Sequence, residues 1–199
     1  MQISEKTLYN EYLSRHRRKQ NRGANGTRDS ERSKTYSAEF KMLSMIDNPT
    51  FKDIPEAQRC AKKIYKSKTW QKLWRESTNS DVTRLFFSTP EVVAKFKNSG
   101  RGTAGFTDGQ KVTLDTRVGL NKYTLLHELT HCLGHMHHGR SFRYTLLKMV
   151  GAFMGAKEKK ILASEFKKRK LAYGKAKKPL EFEQWKEMRN RLEKIRNVT

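Results

Sequence analysis

Cysteine, long apolar runs and acidic residues are scarce in this chain of 199 residues, and each scarcity is informative. Its 2 cysteines, Cys60 and Cys132, have no close spacing, which excludes a disulfide scaffold and fits a reducing compartment. No stretch approaches the roughly 20 apolar residues of a membrane-spanning helix, and neither terminus resembles a secretory signal. We therefore expect a protein without membrane attachment, in the cytosol or inside a particle assembled there.

The shortage of acidic residues leaves a large positive charge. The chain has 20 Asp and Glu against 43 Lys and Arg, which gives a formal net charge of +23. Such an excess predicts attraction to polyanions, and nucleic acid is the foremost candidate. Residues 1–35 carry a net +5 and residues 156–199 a net +9, so we predict basic arms that contact nucleic acid.

The apolar fraction, 35%, is low for a fully packed chain of this size and predicts one compact domain with polar extensions. The highly charged run of residues 15–34 is typical of a flexible linker. An amphipathic helix should follow from Tyr36, with Phe40 and Leu43 on its apolar face. The predicted organisation, in chain order, is a partly flexible basic arm (1–27), a domain (28–174) and a basic C-terminal helix (175–199).

The predicted domain mixes helices with a few short strands. Residues 81–89 have the composition of a strand, and Asp108-Gly109 predicts a hairpin turn between two more. Apolar residues at helical spacing predict helices over 119–134, 141–155 and 157–172. We therefore predict an α+β fold in which a small antiparallel or mixed sheet packs on helices.

Five of the six histidines lie in "HELTHCLGHMHHGRSF", residues 127–142. His127 and His131 are four residues apart on a predicted helix, so both rings project from one face and can share one metal ion. Glu128 points about 100° round the helix, near enough to take a proton from a water molecule at the metal. H-E-x-x-H on a helix is the signature of zinc hydrolases.

A catalytic zinc site has three protein ligands and one open position, so a third ligand is needed. His135 would extend the same helical face, but Gly134 predicts that the helix ends before it. His137 has the metzincin spacing H-E-x-x-H-x-x-G-x-x-H, although no convincing methionine turn follows. His138 precedes an apolar helix and could return to the metal from a loop. The residues alone leave these alternatives open.

"HELTH" followed by "HGRSF" resembles SprT-like and Wss-type zincins, in which the histidine of an H-G-x-x-F element is the third ligand. Together with "RDSERSKTYSAEF" and "HGRSFRYTLLKMVGAFMG", these motifs more closely resemble a small family of metallohydrolases of actinobacteria and phages. The resemblance covers roughly residues 28–174. It implies a zincin-like fold, Zn²⁺ as the cofactor, and His138 as the third metal ligand beside His127 and His131. It also implies a bacterial or phage-infected cell, or a virion, as the location.

Zincins of this type place an edge strand beside the metal helix, and a peptide substrate can add to such an edge by backbone hydrogen bonds. The segment "QKVTLD", residues 110–115, precedes the metal helix and fits that place. Tyr123 and Tyr144 are candidates to offer a hydroxyl to a developing oxyanion.

These features together predict a zinc-dependent metallopeptidase-like hydrolase that acts on proteins associated with nucleic acid, with Glu128 as the catalytic base. A zinc-dependent nuclease is one alternative, because the positive charge suits an RNA substrate. The other alternative is a non-enzymatic nucleic-acid-binding or packaging protein with a structural zinc, whose coordination should be closed.

Overall fold

The computed structural model describes residues 29, 31–77, 89–94, 103–135 and 137–174, together with single residues within 5–13 and 182–190. The chain divides into two compact units. One, the folded unit, is Asp29–Lys175, and the other, the terminal unit, combines Met1–Arg28 with Ala176–Thr199. These divisions fall one residue from the predicted domain boundaries, and they place both ends of the chain in the same unit.

Within the terminal unit, described side chains from the two ends of the chain touch. The rings of Tyr9 and Phe182 meet edge to face with centroids 5.1 Å apart. The Lys186 ammonium lies 3.0 Å from a carboxylate oxygen of Glu5. The described residues of both stretches are helical.

The folded unit is an α+β structure with a small sheet, as predicted. Its described helices are α1 (Arg32–Leu43), α2 (Ile54–Tyr65), α3 (Lys68–Ser77), α4 (Lys122–Cys132), α5 (Arg140–Phe153) and α6 (Ala156–Lys168). Its described strands are β1 (Glu91–Ala94), β2 (Gly105–Thr107) and β3 (Lys111–Leu114). The strand predicted over 81–89 lies, apart from its last residue, outside the described residues. None of the helices in the described ranges has the length and apolar character needed to cross a membrane.

Helix α1 differs from its prediction in both its start and its buried face. It begins at Arg32, so the last residues of the predicted linker are helical. Phe40 is 69% exposed, and the buried residues of the helix include Thr35 and Glu39. The apolar pattern was misleading because this helix buries polar side chains that have partners far along the chain.

The sheet has the strand order β1-β3-β2, with β1 parallel and β2 antiparallel to β3. The predicted hairpin about Asp108-Gly109 is confirmed. Gly109 has a φ of 96°, a backbone conformation that favours glycine. One carboxylate oxygen of Asp108 accepts hydrogen bonds from the backbone N–H groups of Gln110 and Lys111, at 2.9 and 2.8 Å.

The predicted position of residues 110–115 at the sheet edge was wrong. Strand β3, which they contain, is central, and β2 lies at the edge of the described sheet. The error arose because β1, a strand of 4 residues, was not predicted, so no partner was expected on the far side of β3. Both β2 and β3 pack against α4, and Gly105 of β2 lies next to Glu128 of the histidine motif.

Helix α4 lies between the two apolar clusters of the folded unit. Leu125, Leu126 and Leu129 belong to the cluster with the sheet, α2 and α3, whereas Tyr123 belongs to the cluster with α1, α5 and α6. The Asn121 side chain caps the start of the helix by accepting a hydrogen bond from the Thr124 N–H at 2.8 Å. The helix ends at Cys132, before Gly134, as predicted. Packing on both sides thus holds the H-E-x-x-H segment rigidly.

Candidate metal centre

Three histidine rings converge at the centre of the folded unit. His127 and His131 stand one turn apart on α4, and the chain then reverses at Gly134, whose φ is 86°. This reversal returns His138 to the pair just before α5 begins. The Nε2 atom of His127 lies 3.2 Å from Nε2 of His131 and 3.2 Å from Nε2 of His138.

The three remaining ring nitrogens all face partners outside the cluster. Nδ1 of His127 lies 3.2 Å from a carboxylate oxygen of Glu39, and Nδ1 of His138 lies 2.7 Å from one of Asp29. Nδ1 of His131 bonds to the backbone carbonyl of His135. Each Nδ1 can therefore donate its proton outward, which leaves the Nε2 lone pairs pointing at one another. Ligand histidines of metal sites are oriented in the same way.

These distances fit a metal ion. With bonds of about 2.0–2.1 Å and tetrahedral angles, two nitrogens on one zinc ion stand about 3.4 Å apart. The ligand atoms of the three histidines all lie within 4.8 Å of one another. Without a cation, three lone pairs this close would repel. The group could therefore hold a metal ion.

Burial keeps the three imidazoles in the neutral form that a metal requires. It lowers the pKa of His127 to about 3 and that of His131 to about 2, and it also lowers the pKa of His138. Phe142 contributes to this desolvation, since its fully buried ring lies 4.5 to 5.0 Å from all three imidazoles. A cation entering the group would meet little competition from protons near neutral pH.

Burial raises the pKa of the carboxyl groups at the site, whereas it lowers the pKa of the imidazoles. Desolvation raises the pKa of Glu39 to about 8 and that of Glu128 to about 8. The negative charge of Glu39 adds to the shift of Glu128, whereas the positive charge of Arg32 opposes it. A bound divalent cation would favour the charged form of both carboxylates.

The structure leaves the other two candidate histidines outside the cluster. Nε2 of His135 lies 2.9 Å from the Thr145 hydroxyl and not in the cluster. His135 contacts the cluster only through its backbone carbonyl, which bonds to the His131 ring. The His137 side chain is half-buried, with Nδ1 4.0 Å from Asp29. The arrangement matches the set predicted from the resemblance, His127, His131 and His138.

Sequence reasoning missed the acidic residues behind the rings. Asp29 accepts hydrogen bonds from both the backbone N–H and the ring of His138, and Glu39 faces His127. Both occur in "RDSERSKTYSAEF", a segment of the resemblance that implied no role for either residue. About 100 residues of chain separate this segment from the histidines, so no local pattern could predict that they meet. The resemblance of the segment to the family was the only indication that it matters.

A buried arginine ties this segment to the third histidine. Arg143 is fully buried and donates to the His138 carbonyl at 2.6 Å, to Glu31 at 3.0 Å and to the Ala172 carbonyl at 2.6 Å. Thr35 also lies within 3.3 Å of the guanidinium. One side chain thus joins the start of α1, the His138 loop and the segment after α6.

One side of the cluster borders a cleft of about 240 Å³ between α1, α4 and the chain around β2. His127 and Glu128 both line it, and Gly105 of β2 lies opposite Glu128. A Cβ on Gly105 would stand 3.0 Å from Cγ of Glu128, so the absence of a side chain there leaves Glu128 its space. Tyr36 lines the same cleft, and its ring centroid is 4.8 Å from that of His138.

The two tyrosines proposed from the sequence occupy different surroundings. The Tyr123 hydroxyl is buried beside the Glu39 carboxyl, and Tyr123 lines the cleft. Tyr144 lies under the Lys148 ammonium, which is 4.6 Å from its ring centroid. Tyr36 is half-buried, lines the cleft and packs against the ring of His138.

Comparison of the chain with protein-family models, curated proteins and solved structures finds no match. Its function has to be inferred from the chemistry of the histidine cluster and the cleft.

Replacing His138 with Ala should abolish stable metal binding, because it removes one of three converging Nε2 atoms. His137→Ala is the matched control and should leave metal content unchanged, since His137 is not one of the three converging rings. Elemental analysis of both variants, purified without added metal, checks this. Loss of metal in His137→Ala and retention in His138→Ala would reverse the ligand assignment.

Asp29→Ala should weaken metal affinity about 10- to 100-fold, the usual effect of removing a carboxylate that orients a ligand histidine. Asp47→Ala removes an equal charge from an exposed position and is the control. Competition with a chromogenic zinc chelator measures both affinities. Equal affinities for the two variants would show that Asp29 does not orient His138.

Proposed function

We propose that the protein is a zinc-dependent metallopeptidase-like hydrolase, with a zincin-like arrangement, that acts on proteins associated with nucleic acid. The observation that carries the proposal is a cleft lined by Glu128 and by His127 of the three-histidine cluster. The residues fit zinc, because three neutral imidazole nitrogens are a common zinc donor set. His127, His131 and His138 would hold it.

The described part of the chain supplies three metal-ligating side chains to the cluster, and one of them, His127, also lines the cleft. A structural zinc has four protein ligands and is closed to solvent, whereas a catalytic zinc keeps one position for water or substrate. The three-ligand arrangement supports a catalytic centre over a structural zinc in a packaging protein.

A bound zinc would supply a Lewis acid that polarises a substrate carbonyl and acidifies water. Glu128 is held one residue beyond His127, with its carboxylate in the cleft. In the proposed reaction this carboxylate takes a proton from the attacking water and delivers it to the leaving amine. Glu128 is buried although it lines the cleft, and Gly105 keeps the space around its side chain clear.

Strand β2 is suited to hold an extended peptide. The Ala104 carbonyl accepts a hydrogen bond from the Asp115 N–H at 2.8 Å, so Ala104 and Asp115 are a hydrogen-bonded residue pair of the hairpin. Hydrogen-bonded and non-hydrogen-bonded residue pairs alternate along two antiparallel strands. Gly105 and Thr107 therefore belong to non-hydrogen-bonded pairs, and their backbone N–H and C=O groups point away from β3. A peptide pairing on that side would pass beside Glu128.

Tyr36 is the proposed donor to the developing oxyanion. Its ring packs against the rings of His138 and His127, with centroid distances of 4.8 and 5.7 Å. Burial raises the pKa of its phenol, while the nearby Arg32 guanidinium opposes that rise, so the hydroxyl stays protonated near neutral pH. A protonated phenol can donate a hydrogen bond to negative charge that develops on the substrate.

The link to nucleic acid rests on charge. The net +23 favours binding to a polyanion by counterion release, and the terminal unit contributes +8 of it. A hydrolase retained on nucleic acid in this way would meet proteins bound there. Residues in the cleft do not by themselves select such substrates.

Glu128→Gln should retain zinc and the fold but lose hydrolysis by about 10²-fold or more, because an amide cannot accept the proton. Digestion of casein and of a nucleic-acid-binding protein, with and without nucleic acid, provides the assay, and Glu56→Gln on α2 is the control. Cleavage of RNA instead of protein would favour the zinc-dependent nuclease. Unchanged protein hydrolysis by Glu128→Gln would remove this residue from the mechanism.

Tyr36→Phe should lower kcat about 10²-fold, as for loss of one oxyanion donor, with little change in KM or zinc content. Phenylalanine retains the ring packing against the histidines. Tyr144→Phe is the matched control and should leave kcat unchanged. A rise in KM with constant kcat would assign Tyr36 to substrate binding and contradict its proposed role.

A further inference from the structure

Most of the positive charge lies in the folded unit. The terminal unit carries a net +8, and residues 29–175 carry the remaining +15. Residues 54–77, which form α2 and α3, contribute 7 Lys and Arg against 2 Glu. Attraction to a polyanion is therefore not confined to the two ends of the chain.

Helix α3 places an aromatic-lined cavity within this basic region. Tyr65, Trp70 and Trp74 line a cavity of about 320 Å³ together with Gln71 and Arg75. The indoles of Trp70 and Trp74 are stacked with centroids 5.9 Å apart, and the Tyr65 ring lies 5.1 Å from Trp70. Trp70 is buried in the core, whereas Trp74 is only half-buried. The cavity thus offers flat aromatic surface to a ligand.

Positive side chains continue from the rim of this cavity along α3. Lys68, Lys72 and Arg75 are exposed and recur at i, i+4 and i+7, so they form one stripe. Gln71 and Arg75 line both the aromatic cavity and an adjoining hollow that also includes the two lysines. Arg75 Nε donates to the Gln71 carbonyl at 3.2 Å, which holds the guanidinium near the rim.

We propose that α2 and α3 form a binding site for single-stranded nucleic acid. An unpaired base would stack against the aromatic wall of the cavity while the adjacent phosphates follow the basic stripe. Bases of a duplex are already stacked and cannot enter such a cavity, so the site selects single strands. No described residue lines both this cavity and the cleft beside the histidine cluster. The proposed site would discriminate between single strands and duplexes, which nonspecific charge attraction does not do.

The first test uses the full chain and Trp74→Leu, which keeps apolar volume but removes the aromatic face. Fluorescence anisotropy with a labelled single strand and the matching duplex measures both affinities across a salt series. Removing one base–aromatic stacking interaction should weaken single-strand binding about 5- to 100-fold and leave duplex binding nearly unchanged. Thermal melting and zinc content verify that the variant is folded.

The second test removes charge at exposed positions, where folding is not at risk. Lys68→Gln with Lys72→Gln should lower the log–log salt slope for single strands by about 0.7 for each phosphate that the variant no longer neutralises. Lys157→Gln with Lys160→Gln removes the same charge from exposed positions on α6 and should change the slope less.

Equal weakening of single-strand and duplex binding, or equal effects of the two lysine pairs, would overturn the proposal. Absence of single-strand binding by the unaltered chain at low salt would also overturn it. None of these measurements depends on hydrolysis, so the outcome is separate from that of the peptidase proposal.

Discussion

The close approach of three imidazole nitrogens is the constraint on which the folded unit depends. Rings whose Nε2 atoms lie 3.2 Å apart could hold a cation between them, and they have hydrogen-bond acceptors behind them. These acceptors are two carboxylates and a carbonyl, each from a different place in the sequence. Helix α1 contributes to this group of acceptors, because it brings the Glu39 carboxylate to Nδ1 of His127.

A second layer of polar contacts makes that arrangement rigid. Arg143 is fully buried, and a buried guanidinium is tolerated only when its donors find acceptors. Its acceptors are carbonyls of the His138 loop and of the segment after α6, with the Glu31 carboxylate at one edge. Since each acceptor belongs to a different part of the chain, the arginine joins three segments that apolar packing alone would leave adjustable.

Sequence patterns predicted the features that depend only on residues close together in the chain. The spacing of His127 and His131, the glycine that ends α4 and the hairpin at Asp108-Gly109 follow from helix periodicity and turn chemistry. The partners of the rings could not be predicted in the same way, because Asp29 acts across 109 positions of sequence. The prediction for Phe40 was wrong for a related reason, since α1 buries polar groups that serve the histidines.

The boundary between the two units in the sequence falls next to Asp29, whose carboxylate supports His138. Asp29 is the first residue of the folded unit, and basic residues that trypsin-like enzymes recognise lie on either side of it. A cut after Arg28 would leave the carboxylate attached, whereas a cut after Arg32 would release it while all three histidines remain. Cuts only a few residues apart would therefore give one product in which Asp29 still supports His138 and another in which it does not.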